Sequence, residues 1–269
     1  MSTNTVTLPD GTNLNYCVEG KSDGDWIILS NSLATDLRLW DNEVKFLSKS
    51  MRVLRYDVRG HGQSESSPAP YDFDQLCADL VALMDHLSIE KADIMGISLG
   101  GMTALAMGIK HPTRVNRIMC CDARADAPDP YKAIWDGNIA KLHAENLGAL
   151  CEPTLTRWFT APFLQNADNK LGLDVVRSMF NATAPDGYEG VARCLQSLDL
   201  KGDLAGLSHE TLYVTGAADM AAPVAVMQEM SDLTPNSQFK VIEDAAHLSN
   251  LEQPEEFANI IKKFLNIDG

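Results

Sequence analysis

The chain has 269 residues, 45% of them hydrophobic, with a formal net charge of −15. That length suits one large domain or a domain carrying an insertion. The negative charge argues against nucleic acid as a partner and gives no general help to an anionic substrate, which needs a local cation. In chain order, Val6 to Val18 reads as two alternating strands joined at Pro9-Asp10-Gly11. Trp26-Ile27-Ile28-Leu29 follows as a continuous apolar run, the mark of a strand buried on both faces. Phe46 and Leu47 close a short helix, and Arg52-Val53-Leu54-Arg55-Tyr56 makes the next strand. Residues 73–87 carry apolar side chains at helical spacing (Leu76, Leu80, Leu83, Met84, Leu87). A strand over 92–95, a helix after Ser98 and a strand over 115–120 continue the alternation, which predicts a mostly parallel sheet covered by helices.

From about Ala127 to Ser197 the alternation stops. This block reads as several helices with no buried strand and carries Trp135, Trp158, Phe159 and Phe163. Strand-like runs resume at Thr211-Leu212-Tyr213-Val214-Thr215 and Phe239-Lys240-Val241-Ile242, and an amphipathic helix runs from Pro254 to Phe264. The expected organisation is therefore a core of residues 1–126 and 198–269, with a helical cap over 127–197 inserted into it. The six cysteines (Cys17, Cys77, Cys120, Cys121, Cys151, Cys194) show neither C-x-x-C spacing nor a metal-ligand pattern. The stretch Met1 to Thr7 lacks the basic and apolar regions of a signal peptide. The apolar run 94–109 is broken by Ser98, Thr103 and glycines and is too short to span a bilayer. The expectation is a cytoplasmic protein with reduced thiols, no membrane partner, no metal and no cofactor.

The chemistry centres on Gly96-Ile97-Ser98-Leu99-Gly100, which matches the G-x-S-x-G pattern between a strand and an Ala-rich helix. Glycine on either side of the serine allows strand and helix to come close. The serine hydroxyl is left exposed at a helix N-terminus, where developing negative charge is stabilised. A nucleophilic serine needs a base. Of His61, His86, His111, His143, His209 and His247, the last follows the final predicted strand, where an open α/β sheet gathers its site. The acid is expected after the preceding strand, at Asp219 in Gly216-Ala217-Ala218-Asp219, with a helix cap before Pro223 as its plain alternative. Asp122 competes for the same role. The oxyanion donors expected are the N–H groups of Leu99, next to the nucleophile, and of Leu33 in Ser30-Asn31-Ser32-Leu33-Ala34-Thr35. Asp57-Val58-Arg59-Gly60-His61-Gly62-Gln63-Ser64 is glycine-rich but matches neither phosphate-binding pattern, so a structural role is expected of it.

With these residues in order, the chain resembles the α/β-hydrolase superfamily over essentially its whole length. More narrowly it resembles the 3-oxoadipate enol-lactonase branch. The narrower likeness rests on Asn31-Ser32 where many α/β-hydrolases carry His-Gly, on Asp244-Ala245-Ala246-His247-Leu248-Ser249-Asn250-Leu251-Glu252, and on Trp158-Phe159-Thr160. The resemblance implies a serine hydrolase that opens an enol-lactone bearing a free carboxylate, in the degradation of aromatic acids. It also implies a cation near the site. Arg124 is the best placed, although Asp122 and Asp126 flank it; Arg38, Arg157 and Arg193 are alternatives. Trp135 and Trp158 are expected either to wall a substrate pocket or to pack the cap's own core. A carboxylesterase of small neutral esters, a C–C bond hydrolase and a non-catalytic ligand-binding relative share the same pattern, and the sequence leaves the oligomeric state open.

Overall fold

The computed structural model of the protein describes residues 3–267, so Met1 and Ser2 of the stretch read for a signal, and the last two residues of the expected core, lie outside it. Strand β1 (Asn4–Thr7) and strand β2 (Asn13–Gly20) form the expected hairpin, with Val6 opposite Leu14. Strand β3 (Trp26–Ser30), helix α1 (Asp41–Leu47) and strand β4 (Arg52–Tyr56) follow. Helix α2 (Phe73–His86), strand β5 (Ala92–Ile97), helix α3 (Leu99–Lys110) and strand β6 (Val115–Cys121) complete the first part of the sheet. The chain then runs through helices α4 (Asp129–Ala144), α5 (Gly148–Trp158), α6 (Ala161–Gln165), α7 (Lys170–Ala182) and α8 (Pro185–Gln196) without adding a strand. Strand β7 (Glu210–Gly216), helix α9 (Val224–Leu233), strand β8 (Ser237–Ile242) and helices α10 (Ser249–Glu252) and α11 (Pro254–Leu265) close the fold. Helix α9, which the sequence reading did not assign, supplies the crossover that a parallel β7–β8 pair requires.

The sheet has eight strands in the order β1-β2-β4-β3-β5-β6-β7-β8. β1–β2 and β2–β4 pair antiparallel and every later pair is parallel. The central strand β5 is buried at each of its positions, because helices cover both faces. This is why its sequence does not alternate; its one charged residue, Asp93, is buried against Arg117 (2.6 Å). The loops after β3, β5, β6, β7 and β8 leave the sheet at the carboxyl ends of parallel strands, where side chains from distant stretches of sequence can meet.

The glycine-rich loop after β4 acts as a strut. Asp57 accepts from Leu37 N (2.8 Å), Gln63 N (2.9 Å) and Asn15 Nδ2 (2.8 Å). Arg59 forms a buried bidentate pair with Asp79. Removing one partner of such a pair costs about 3–5 kcal/mol, because the other charge is left buried alone. His61 is buried with Nδ1 against Arg59 O (3.0 Å), and burial pushes its imidazole down to about 4, so it stays neutral. The same loop anchors the helical segment, since Ala184 N donates to Gly60 O at 2.9 Å. An isolated antiparallel bridge pairs Asp126 with Asp199 where that segment leaves and rejoins the sheet. No helix among the described residues is long and apolar enough to cross a membrane.

Candidate active site

Ser98 sits between β5 and α3 with φ 55° and ψ −116°, a left-handed backbone state that a serine rarely adopts. The turn is tight on both sides. A Cβ on Gly96 would lie 2.1 Å from the Gly100 carbonyl carbon, and one on Gly100 would lie 2.0 Å from Ser30 O. Either collision would push β5 and α3 apart or drive α3 off the end of β3. Ser98 N donates to Cys121 O at 2.8 Å, which pins the turn to β6. The serine side chain therefore stands where the backbone puts it, at the N-terminus of α3. The N–H groups of that first turn, Leu99 included, have no acceptor within the helix.

Ser98 lines a cavity of about 430 Å³ together with His247, Asp122, Leu33 and Ser32. His247 is buried, and its Nδ1 lies 2.8 Å from Asp219 Oδ2. The other oxygen of Asp219 accepts from Ala221 N (2.7 Å) and Ala222 N (3.1 Å), so one carboxylate both shapes the turn before α9 and holds the imidazole. Asp219 does not cap α9, whose N-cap position is Pro223 with no side-chain hydrogen bond; its second oxygen serves the turn ahead of the helix instead. Burial opposes charge on the imidazole. The Asp219 charge and hydrogen bond, with Asp122 behind them, outweigh it and raise His247 above the ordinary histidine value. No hydrogen bond joins Ser98 Oγ to His247 among the described residues; both side chains line the same cavity. An imidazole fixed through Nδ1 by a carboxylate and sharing a cavity with a serine is suited to taking up a hydroxyl proton.

Asp122, the competing acid, is fully buried with φ 47°. Its Oδ1 accepts from Gly216 N (2.8 Å) and its Oδ2 from Ser249 Oγ (2.6 Å). Burial and the neighbouring Asp219 charge push its carboxyl up to about 8. The other histidines stand apart from the cavity lining. His86 meets Tyr16 OH, His143 pairs with Glu189 and His209 with Pro112 O.

The rest of the cavity wall comes largely from the helical segment. Trp158 is buried with its ring 6.2 Å from that of His247 and 6.1 Å from that of Phe180, so it both packs and lines. Trp135 also lines the cavity, beside Tyr131, with ring centroids 5.8 Å apart. Arg124 also lines the cavity, but its guanidinium is already engaged by Asp126 O (2.8 Å), Asp126 Oδ1 (3.1 Å) and the Tyr131 ring (4.6 Å). Arg38 is held by Asp36, and Arg193 by Glu189 and Asp136. Arg157 reaches the cavity with one hydrogen bond among the described residues, to Thr154 Oγ1 at 3.3 Å.

Two features escaped the sequence reading. The helical segment is stapled to the His247 loop. Trp158 O, at the end of α5, accepts from His247 N (3.0 Å) and Leu248 N (3.3 Å), while Glu252 accepts from Thr160 N (2.9 Å), Thr160 Oγ1 (2.7 Å) and Ala246 N (2.5 Å). These pairings explain why Trp158-Phe159-Thr160 and the run from Ala246 to Glu252 belong together, although 92 residues separate Thr160 from Glu252. The second is the mouth, where Ile134 and Met220 stay 51% and 77% exposed on the cavity's rim.

A family model for the alpha/beta hydrolase fold matches residues 25–254. Two proteins of Acinetobacter baylyi named 3-oxoadipate enol-lactonase are similar over nearly the whole chain. One is 35% identical over 260 residues, covering 97% of this chain and 96% of its own. The other is 32% identical over 261 residues, covering 96% and 94%. The crystal structure of an enol-lactonase from Burkholderia xenovorans superposes with a TM-score of 0.93 at 34% identity, covering 98% of this chain and all of that one. By sequence and by fold, the chain belongs to the α/β-hydrolase family and is enol-lactonase-like.

Proposed function

We propose that the protein hydrolyses a carboxylic ester or lactone through an acyl-enzyme at Ser98. Ser98 Oγ attacks the carbonyl carbon as its proton passes to His247, and Asp219 holds the imidazole tautomer and stabilises the imidazolium. The N–H groups of Leu33 and Leu99 receive the oxyanion. His247 then gives the proton to the departing oxygen, which in a lactone remains tethered to the acyl group, and afterwards activates the water that frees Ser98. The hydrogen bond from His247 to Asp219, in a cavity shared with Ser98, is the observation that carries this reading.

The finer reading is 3-oxoadipate enol-lactone as substrate and 3-oxoadipate as product, supported by the names of the relatives and by a cation within the cavity. Arg157 suits that cation better than Arg124, whose donors already serve Asp126. Under this reading residues 127–197 form a cap whose aromatic rings, Trp135 and Trp158 among them, close over the substrate. The apolar rim at Ile134 and Met220 favours a second reading, a carboxylesterase of small neutral esters. Comparing kcat/KM on 3-oxoadipate enol-lactone with that on p-nitrophenyl acetate and short alkyl esters separates the two. The enol-lactone is expected to be preferred by about 100-fold or more, the worth of a well-made hydrogen-bonded contact to a charged group. Preference for the neutral esters overturns the finer reading and leaves the mechanism standing.

A further inference from the structure

The loop after β3 ties down most of its polar groups and leaves two buried side-chain atoms without a partner among the described residues, Asn31 Oδ1, which can only accept, and Ser32 Oγ, which can donate. Ser30 Oγ bonds Tyr56 OH (2.9 Å) and Asn31 Nδ2 donates to Tyr56 O (2.8 Å). Thr35 donates to Ser32 O twice, from N (3.2 Å) and from Oγ1 (2.8 Å). The backbone of Ser32 is thereby held in a closed turn, and Ala34 just beyond it takes φ 56°. Yet Ser32, at 1% exposure, has a buried Oγ with no hydrogen-bond partner among the described residues, and the residue lines the same cavity as Ser98 and His247. A buried hydroxyl without a partner costs about 1–3 kcal/mol. An alanine would occupy the same turn without that cost. An unsatisfied donor on a turn held by its neighbours is what electrostatic preorganisation calls for, because no protein hydrogen bond must be broken when charge develops on the substrate.

From this we infer that the Ser32 hydroxyl is a third oxyanion donor, acting alongside the N–H groups of Leu33 and Leu99. The inference rests on the acyl-enzyme reading above. The position of Ser32 selects this role. Its neighbour Ser30 ends β3 against the first turn of α3, where a Cβ on Gly100 would meet Ser30 O at 2.0 Å and Asn31 O at 3.0 Å. Ser32 is thus brought beside the start of the helix that carries the nucleophile. A hydroxyl there donates its proton to the carbonyl oxygen as that oxygen gains charge, and it keeps that proton throughout. In the chains that carry His-Gly at this place no side chain can do so, which gives Asn31-Ser32 a chemical meaning.

The test is Ser32→Ala, read by kinetics, by inhibitor affinity and by melting temperature. On p-nitrophenyl acetate, kcat is expected to fall about 100-fold, with KM within about threefold of the parent value. A trifluoromethyl ketone, which forms a hemiketal oxyanion with a serine, should lose affinity by about the same factor as kcat. The melting temperature should stay level or rise, since the unsatisfied group is gone. Ser32→Gly, which places at this position the glycine of the common form, should match Ser32→Ala in kcat. A kcat within about threefold of the parent overturns the inference, as does a fall in melting temperature, which would show that the hydroxyl serves the fold. Failure of the acyl-enzyme reading looks different: the parent protein would then not bind the ketone covalently at all.

Discussion

At the end of the sheet, side chains are placed by backbone contact. Gly96 and Gly100 leave about 2 Å for a Cβ, Ser98 is held at φ 55°, and the loops after β3, β6, β7 and β8 converge on the same point. In the segment between β6 and β7 the cavity walls are instead free-standing side chains. Trp135 and Ile134 project from α4 and Arg157 from α5, while α7, packed on α5, leaves Leu171 and Val175 exposed. On the proposed reading the first region fixes what reaction can occur, since moving any of its parts moves the main chain. On the same reading the second decides which molecule is accepted, since side chains such as Trp135, Ile134 and Arg157 make no hydrogen bond to a sheet strand among the described residues. Lesions in the first should therefore lower kcat on every substrate. Those in the second should sort substrates.

The largest expected effect on the sheet side, after loss of Ser98 itself, is at the imidazole and its carboxylate. His247→Ala should lower kcat by about 10³-fold or more on any ester, with little change in KM. Asp219→Asn should cost up to about 10⁴-fold and should also move the pH profile. The Asp219 charge helps to raise His247 above its ordinary value, and the base must be neutral to act. The acid limb of kcat/KM in the parent should therefore lie above that of an ordinary histidine, and in Asp219→Asn it should move to lower pH. A limb that stays in place would show that another charge sets the base, with Asp122 the first to examine.

On the helical side, Arg157→Gln should lower kcat/KM on the carboxylated lactone by about 10- to 100-fold, while neutral esters change by less than about threefold. Arg124→Gln should show no such split, because Asp126 already uses its donors. Equal losses on both substrate classes would erase the distinction between the two regions. Glu252 is where they meet, and Glu252→Gln should give the smallest change. An amide retains one acceptor for Thr160 and turns a donor toward Ala246 N, which should cost about 1–3 kcal/mol of stability. It should also speed hydrogen exchange at residues 158–160 ahead of the sheet. Uniform acceleration across the protein would mean that the staple is not local.

Legibility in the sequence follows the same division. The elbow, the hairpin and the alternation of strands and helices could be read because each imposes a local pattern: glycines two residues from a serine, turn residues between alternating strands, or an apolar run buried on both faces. Asp219 and His247 could be placed because strand ends converge in an open α/β sheet. Helix α9 carries the spacing of a helix, with Val226, Met227, Met230 and Leu233 on one side after a proline, but the segment is only 10 residues long and lies between two strand-like runs, so the sequence reading gave it no bounds. The staple from Glu252 to Thr160 was missed because nothing local encodes a hydrogen bond across 92 residues. Ser32 and Asn31 were noticed only as a departure from a common form. The feature that singles out Ser32, a buried hydroxyl lacking a partner, exists only in three dimensions.

The central claim is that Ser98 is a nucleophile activated by the surrounding fold. Incubating the folded protein with a fluorophosphonate and mapping the adduct by mass spectrometry tests it directly. The account predicts one stoichiometric adduct on Ser98, absent in Ser98→Ala and formed at least about 10³-fold more slowly in His247→Ala. No adduct on folded protein, or an adduct on another residue, would contradict it.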